Sequence, residues 1–324
     1  MKMNNGLYKK RIDEIENIKD IKLKKILIFY LQTSAYTFLG PYADFARTLP
    51  DDIEQLCVLQ RMQTIHAKEM ACNPNIRNEN DNINGDMTKY PIDRLNNEED
   101  IFQTASSIFA ELLRRDNMYS INREAKDKIC IVCRGHALML ASVLKCKGIP
   151  TRVRVGFSKY HNNNEYDDQW NIEYYNLEDG KWHMADASEI GIDGDIKNQI
   201  TDIPKEKFLT AAQAWVMIRK DKLSKDEKII DSGGYEGLKA AWLQLMNDFN
   251  SIMNNEKSFL FQPTYMYECV NGKYVIRDFT DEELKELDEL AELMMNIDDN
   301  IDSLYKIYMD KTKFKVMLGI SSWN

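Results

Sequence analysis

Cys133 opens a stretch, Cys133 to Lys147, in which Ala137, Leu140, Ala141 and Leu144 fall on one helical stripe. A cysteine at the start of a helix is placed for nucleophilic chemistry, because the thiolate is the reacting form and a helix N-terminus lowers the thiol pKa. Such a nucleophile needs a base within reach and a group that orients the base, both delivered by neighbouring elements. Downstream, Asp168, Gln169 and Trp170 lie in one strand-like stretch, and Trp182 and Asp186 in the next. The two tryptophans read as core aromatics first and as the wall of a cleft second.

The elements that must position these residues are clearest in the centre of the chain. Gly148-Ile149-Pro150 stops the helix, with glycine in the capping position and proline shortly after. Thr151 to Phe157 alternates with period two and puts Val153, Val155 and Phe157 on one face of a strand. A polar loop, Ser158 to Asp167, follows. Trp170, Ile172 and Tyr174 alternate again, Asp179-Gly180 signals a hairpin turn, and Trp182, Met184 and Asp186 share a face of the returning strand. Towards the N-terminus, residues 7–50 read as helical and then irregular. Asp51 or Asp52 caps a helix expected to run to about Met70, with Leu56, Leu59 and Gln63 on one face. Residues 73–97, rich in asparagine, read as an excursion loop outside the core. Helical periodicity returns at Ile101, Ala105, Ile108, Phe109 and Leu112. Beyond Lys205 the pattern predicts helices at Phe208 to Arg219, Gly237 to Met253, and Asp281 to about Tyr308. Thr280 and Glu283 form a capping box for the last. Residues 278–302 hold eleven acids and one lysine, a solvated face beside the apolar stripe of Leu284, Leu287, Leu290, Met294 and Ile297.

Three spaced blocks carry a resemblance. Cys133-Arg-Gly-His-Ala137, then Gly148-Ile-Pro-Thr-Arg152, then Trp182-His-Met-Ala-Asp186 together resemble the core of the transglutaminase-like superfamily, which shares the papain-like cysteine-protease fold. Asp168-Gln-Trp-Asn-Ile-Glu-Tyr-Tyr175 is similar to a bacterial subgroup of that superfamily. So are Leu49-Pro50-Asp-Asp-Ile53 leading to Ile65-His66, the stretch Phe208 to Arg219, and the Asp248…Glu256 spacing. The resemblance implies an α+β fold, with a helix packed on an antiparallel sheet at 101–200. Helical regions at 1–100 and 201–324 flank that core, and no Gly/Ser linker separates them, so one unit is expected. It also implies Cys133 as nucleophile and Asp186 as orienter, with Trp170, Gln169 and Trp182 lining a substrate cleft. The superfamily's catalytic histidine stands two positions before the tryptophan. This chain has Asp168 there, and Gln169 where the subgroup has a histidine. A carboxylate with a pKa of about 4 is a poor base for a thiol of about 8.5. Its charge also raises the thiol pKa.

The base must then be sought among the four histidines. His66, on the expected N-terminal helix, matches a histidine of the subgroup and is a candidate catalytic base. His161 lies in the loop between strands and has the reach to fold over the site. His136 follows Cys133 by one helical turn, within touching distance or simply packed. His183 alternates with Asp186 and points to the other face, a structural role. Cys130-Ile-Val-Cys133 is also a C-x-x-C, open to redox or metal chemistry. The apolar pair between the cysteines argues against redox, and zinc lacks a second ligand pair.

Composition narrows the classes. The net charge of −9 disfavours nucleic acid, which needs a basic field. The six cysteines read as reduced thiols rather than a disulfide framework. No stretch of about 20 apolar residues and no signal-peptide core appear, so the expectation is a cytoplasmic protein outside the membrane. The expected activity is acyl transfer or hydrolysis on a peptide or amide, with no cofactor and no metal. The rival is a transglutaminase-like binding module that holds a peptide or protein partner without turning it over.

If Asp168 faces the thiol, Asp168→His raises Cys133 reactivity near neutral pH, because an imidazolium favours the thiolate that a carboxylate opposes. An unchanged alkylation rate would place Asp168 elsewhere.

Overall fold

The chain begins with α1 (Asn5–Glu16) and α2 (Ile21–Leu31), the second capped by Asp20, whose carboxylate accepts from the N–H groups of Lys22 and Leu23. In this computed structural model the described residues are 5–159, 164–188 and 201–315. They divide into two compact units, Met1–Val153 with Asn171–Ile203, and Arg154–Trp170 with Pro204–Asn324. The division does not fall at residue 100, and it crosses the stretch expected as a single core inside two of its strands.

In the first unit, a short α3 (Ala43–Arg47) precedes α4 (Ile53–Arg61), where Asp52 accepts from Gln55 N at 2.8 Å. The helix expected to reach Met70 ends at Arg61. Thr64 and Ile65 are β-branched and suit a pleated surface. They form β1 (Thr64–His66), and His66 then caps the short α5 (Ala67–Cys72). His66 therefore closes a strand rather than riding on a helix. The asparagine-rich excursion is also more than a loop. Its Ile76, Met87 and Tyr90 are buried in a cluster with Ile65, Met70, Ala125 and Cys130. After it, Thr104 and Ser107 make a capping box for α6 (Ala105–Arg115).

β2 (Ile129–Ile131) pairs in parallel with β1, setting Thr64 opposite Ile129 and His66 opposite Ile131. It leads through Val132 directly into α7 (Cys133–Cys146), as expected. Arg134 to Lys145 are all buried, so α7 is a core helix on every side. Its end is a Schellman motif. Gly148, at φ +79°, donates to Lys145 O at 3.0 Å, and Ile149 donates to Leu144 O at 2.9 Å.

The chain then enters β3 (Thr151–Ser158) and β4 (Glu165–Asn176), the two strands in which it passes between units. Both faces of β3 are buried. Val153, Val155 and Phe157 take one face, and Arg152 and Arg154 are kept on the other by carboxylates. In the first unit β4 pairs antiparallel with β5 (Lys181–Ala185), from Ile172 opposite Ala185 to Asn176 opposite Lys181. Gly180, at φ +70°, closes that hairpin as the Asp-Gly signal predicts.

In the second unit β6 (Phe208–Thr210) pairs antiparallel with β3, and α8 (Ala211–Arg219) follows a Thr210–Gln213 capping box. The stretch from Phe208 was expected to be wholly helical. Its first three residues are instead a strand of the sheet. β7 (Lys228–Ile230) pairs in parallel with β4. The resulting order is β5-β4-β3-β6, with β7 beside β4. α9 (Gly237–Ile252) is buried from Ala240 onward and carries Asp248, which takes Arg154 bidentately at 3.0 and 3.0 Å and Val155 N at 2.8 Å. β8 (Tyr267–Val270) and β9 (Lys273–Ile276) form a hairpin over Asn271 and Gly272, both at positive φ. The last expected helix is two, α10 (Asp281–Met294) and α11 (Ile297–Asp310). Leu287, Leu290 and Met294 of the apolar stripe of α10 are buried and Leu284 is half-buried, while Asp281, Glu282 and Glu289 are exposed.

The junction between β2 and α7 is made by two consecutive acids. Glu98 N donates to Cys130 O at 2.6 Å, and the Glu98 carboxylate accepts from Cys130 N at 2.9 Å. Glu99 accepts from Val132 N at 3.3 Å, Gly135 N at 2.9 Å and Arg134 Nη1 at 2.6 Å. A side chain at Gly135 would put its Cβ 2.8 Å from the Glu99 carboxylate and 2.9 Å from Ile131, so only glycine admits this approach. Arg134 is 0% and Glu99 2% exposed, so removing one partner strands a buried charge. Glu99→Ala is expected to lower the unfolding free energy by about 3–5 kcal/mol in urea titrations. The double change Glu99→Ala with Arg134→Met should lose less than the single one. A single-variant loss under about 1 kcal/mol would show that the pair does not hold the junction.

Candidate functional site

Cys133 is the first residue of α7 and is half-buried. Val132, the residue before it, has no side-chain group to cap the helix. Glu99 caps it from outside and takes the N–H groups of Val132 and Gly135. A carboxylate there suits the helix dipole. It also places negative charge at the end where a thiolate would form, against which Arg134 is the counter-charge. Burial pushes the Glu99 carboxyl above its ordinary pKa, while Arg134 and the two amides pull the other way.

Two imidazoles meet near this helix end. The β1–β2 register sets His66 opposite Ile131, two residues before Cys133. His136 lies one turn along α7. The rings stack with centroids 5.7 Å apart and planes 21° from parallel. His66 Nδ1 accepts from Lys68 N at 3.2 Å, so in the neutral ring the proton sits on Nε2. His136 is 2% exposed, and among the described residues neither of its ring nitrogens has a hydrogen-bond partner. Burial, then the neighbouring His66 and Arg61, hold its pKa well below the ordinary histidine value. Arg61 is itself buried. It donates to Ser188 O at 3.2 Å, Thr64 O at 3.0 Å and Asn84 Oδ1 at 3.1 Å, and pairs with Glu69.

Of the residues singled out from sequence, Cys133, His66, Asp186 and Trp182 belong to the first unit, and Asp168, Gln169 and Trp170 to the second. Asp186 follows β5, is buried, and accepts from Ser188 N at 2.7 Å and Ser188 Oγ at 2.6 Å. Its charge also bears on Cys57, whose thiol is raised first by burial and then by Asp186. Asp168 accepts from Ser232 N at 2.9 Å and Ser232 Oγ at 2.6 Å. Gln169 and Trp170 are buried. Trp182 packs edge-on against Tyr30 and Tyr175, with the Arg152 guanidinium 4.2 Å above its ring. His183 stacks on Tyr174 and pairs with Asp179 at 2.7 Å and Asp202 at 3.2 Å. His161 lies outside the described residues.

Cys130 of the C-x-x-C is fully buried, donates to Asn96 O, and has its pKa pushed up to about 12, chiefly by burial. A thiol held in this way is not set up for exchange with Cys133. Among the described residues no group of three His, Cys, Asp or Glu side chains could hold a metal ion. No helix among them is long and apolar enough to cross a membrane. The residues that sequence reasoning missed are Glu99, hidden in what read as the end of a loop, and Arg61, an ordinary helix cation until burial is known. No protein-family model, no curated protein and no solved structure matches the chain.

The His136 ring has a consequence for stability. Its pKa is held well below the ordinary histidine value by burial, with His66 facing it from β1 and Arg61 from α4. In the unfolded chain it takes a proton below about pH 6.5. There the unfolded state binds more protons, so stability rises with pH. This part of the stability is complete above about pH 6.5 and is lost as the pH falls below it. His136→Gln should therefore lose less unfolding free energy than the wild type between about pH 7 and pH 5. Equal losses in the two proteins would mean that the buried ring accepts a proton without penalty.

Proposed function

We propose that the protein performs cysteine-dependent acyl transfer or hydrolysis on a peptide or amide, through a thioester on Cys133. The observation that carries this reading is the shared helix end. A half-buried cysteine opens α7, and an imidazole stands one turn behind it with a second stacked upon that ring. The order of a cysteine-opened helix followed by β3, β4 and β5 also supports a transglutaminase-like arrangement. In this reaction the thiol attacks the acyl carbon, an amine leaves, and water or a primary amine releases the acyl group. Asp186 is the orienter in this reading, and Trp182 flanks the substrate. The setting is cytoplasmic, where thiols stay reduced.

A second reading, a binding module for a peptide or protein partner, is favoured by two observations. Glu99 places a carboxylate on the helix end that would otherwise activate the thiol. Asp168, in the usual histidine position, is engaged by Ser232.

The two readings separate on turnover. Incubation with a mixture of peptide amides and a fluorescent primary amine should release ammonia or amine and label acceptor peptides, and Cys133→Ala should reduce both to background. Turnover that survives Cys133→Ala would remove the thioester reading. Tight peptide binding that Cys133→Ala leaves intact, with no product in either protein, would establish the binding module.

A further inference from the structure

We propose that a cavity in the asparagine-rich excursion binds a carboxylate carried on a small apolar body, the chemistry of a peptide C-terminus or of a free apolar acid. It shares no residue with the thioester reading and does not depend on it. The cavity encloses about 460 Å³ between residues 70–77 and 92–96, all within the first unit. Small-molecule pockets run from about 300 to 1,000 Å³. Met70, Pro74, Ile76 and Ile92 give it apolar walls, and burial in the cluster beneath fixes Met70 and Ile76. Its charged lining is Arg77 and Arg94, and no acidic side chain lines it.

The two arginines are not equivalent. Arg94 is neutralised by Glu98. Arg77 has no ion-pair partner among the described residues, and Glu79, the nearest carboxylate in sequence, is taken by Asn73 and Asn82. Arg77 is nonetheless held in place by neutral groups. Its Nη1 donates to Ile92 O at 2.6 Å, and its Nη2 donates to Arg94 O at 3.1 Å and to Asn96 Oδ1 at 3.2 Å. The guanidinium lies 5.2 Å from the centroid of the Tyr90 ring. These contacts fix the charge without cancelling it, and a cation already fixed loses little freedom when a ligand arrives. Two donors remain. Neither the Arg77 Nε–H nor the NH2 of the adjoining Asn96 amide has an acceptor among the described residues. One uncompensated charge with neighbouring donors matches a carboxylate, which has one negative charge and two acceptor oxygens. A phosphate near two charges leaves one unmatched.

The test titrates the full chain with N-acetyl-leucine, followed by ligand-observed nuclear magnetic resonance. The acid should bind, and N-acetyl-leucinamide, its neutral counterpart, should bind at least about tenfold more weakly. Arg77→Gln should weaken the acid by a similar factor. Because Arg77 also ties down residues 92–96, a second variant spares it. Ile92 is 87% exposed, so Ile92→Asp adds a carboxylate at the mouth without disturbing the core, and should weaken the acid about fivefold. Arg114→Gln, which removes an exposed arginine outside the cavity, should leave binding unchanged. Tighter binding of acetyl-alanyl-alanyl-leucine than of N-acetyl-leucine would assign the carboxylate to a peptide C-terminus, and equal binding to a free acid. No detectable binding of the acid, amide and acid bound equally, binding unaltered in both Arg77→Gln and Ile92→Asp, or inorganic phosphate bound more tightly than the acid would overturn the proposal.

Discussion

The first unit depends on one buried ion pair, Glu99 with Arg134. β2 has β1 on one edge, and its other edge would leave backbone N–H groups unpaired. Glu98 and Glu99 take the place of a missing strand there, accepting from Cys130 N and from Val132 N. Two adjacent carboxylates in a buried setting repel unless each is neutralised. Arg94 and Arg115 neutralise Glu98, and both also donate to Lys128 O, just before β2. Arg134 neutralises Glu99 from within the helix that Glu99 caps. The junction is therefore locked on both sides, which fixes the direction in which the first turn of α7 leaves the sheet. His66, tied to Ile131 by strand register, meets His136 because of that lock.

The same pair sets the electrostatics of the helix end. A helix N-terminus by itself stabilises a thiolate at its first residue. Here two of its N–H groups are taken by a carboxylate, and the compensating guanidinium belongs to Arg134. The net field on Cys133 is weaker than that of a bare helix end. Nearby, burial with His66 and Arg61 keeps His136 neutral.

Much of the centre of the chain was legible because its signals are local. Gly148-Ile-Pro stops a helix through backbone geometry, Asp-Gly turns a hairpin, and Thr280 with Glu283 caps α10. The structure shows each of them. What was not legible depends on partners distant in sequence. Thr64 to His66 reads as helix until Ile129 to Ile131 arrive to pair with it. Phe208 to Thr210 becomes a strand because β3 offers an edge. Glu99 looks like loop polarity, since nothing local says that Gly135 and Arg134, some 35 residues away, will close on it. The candidate site divides in the same way. The position of Cys133 was visible from its own helix, whereas the state of each imidazole was not.

That last difference follows from which nitrogen is occupied. A histidine chosen by motif position is judged by where its backbone goes, and His66 does go to the helix end that carries Cys133. Proton transfer depends instead on which lone pair is open. By capping α5, His66 gives Nδ1 to Lys68 N, which forces the proton to Nε2 and makes the ring a donor. His136, the fourth residue of α7, has no such duty, and neither of its ring nitrogens has a partner among the described residues. The ring that packs with neither nitrogen engaged is the one with chemical freedom. A buried polar group left without partners is penalised in stability, so this ring is held in place by its packing, with the His66 ring stacked 5.7 Å away.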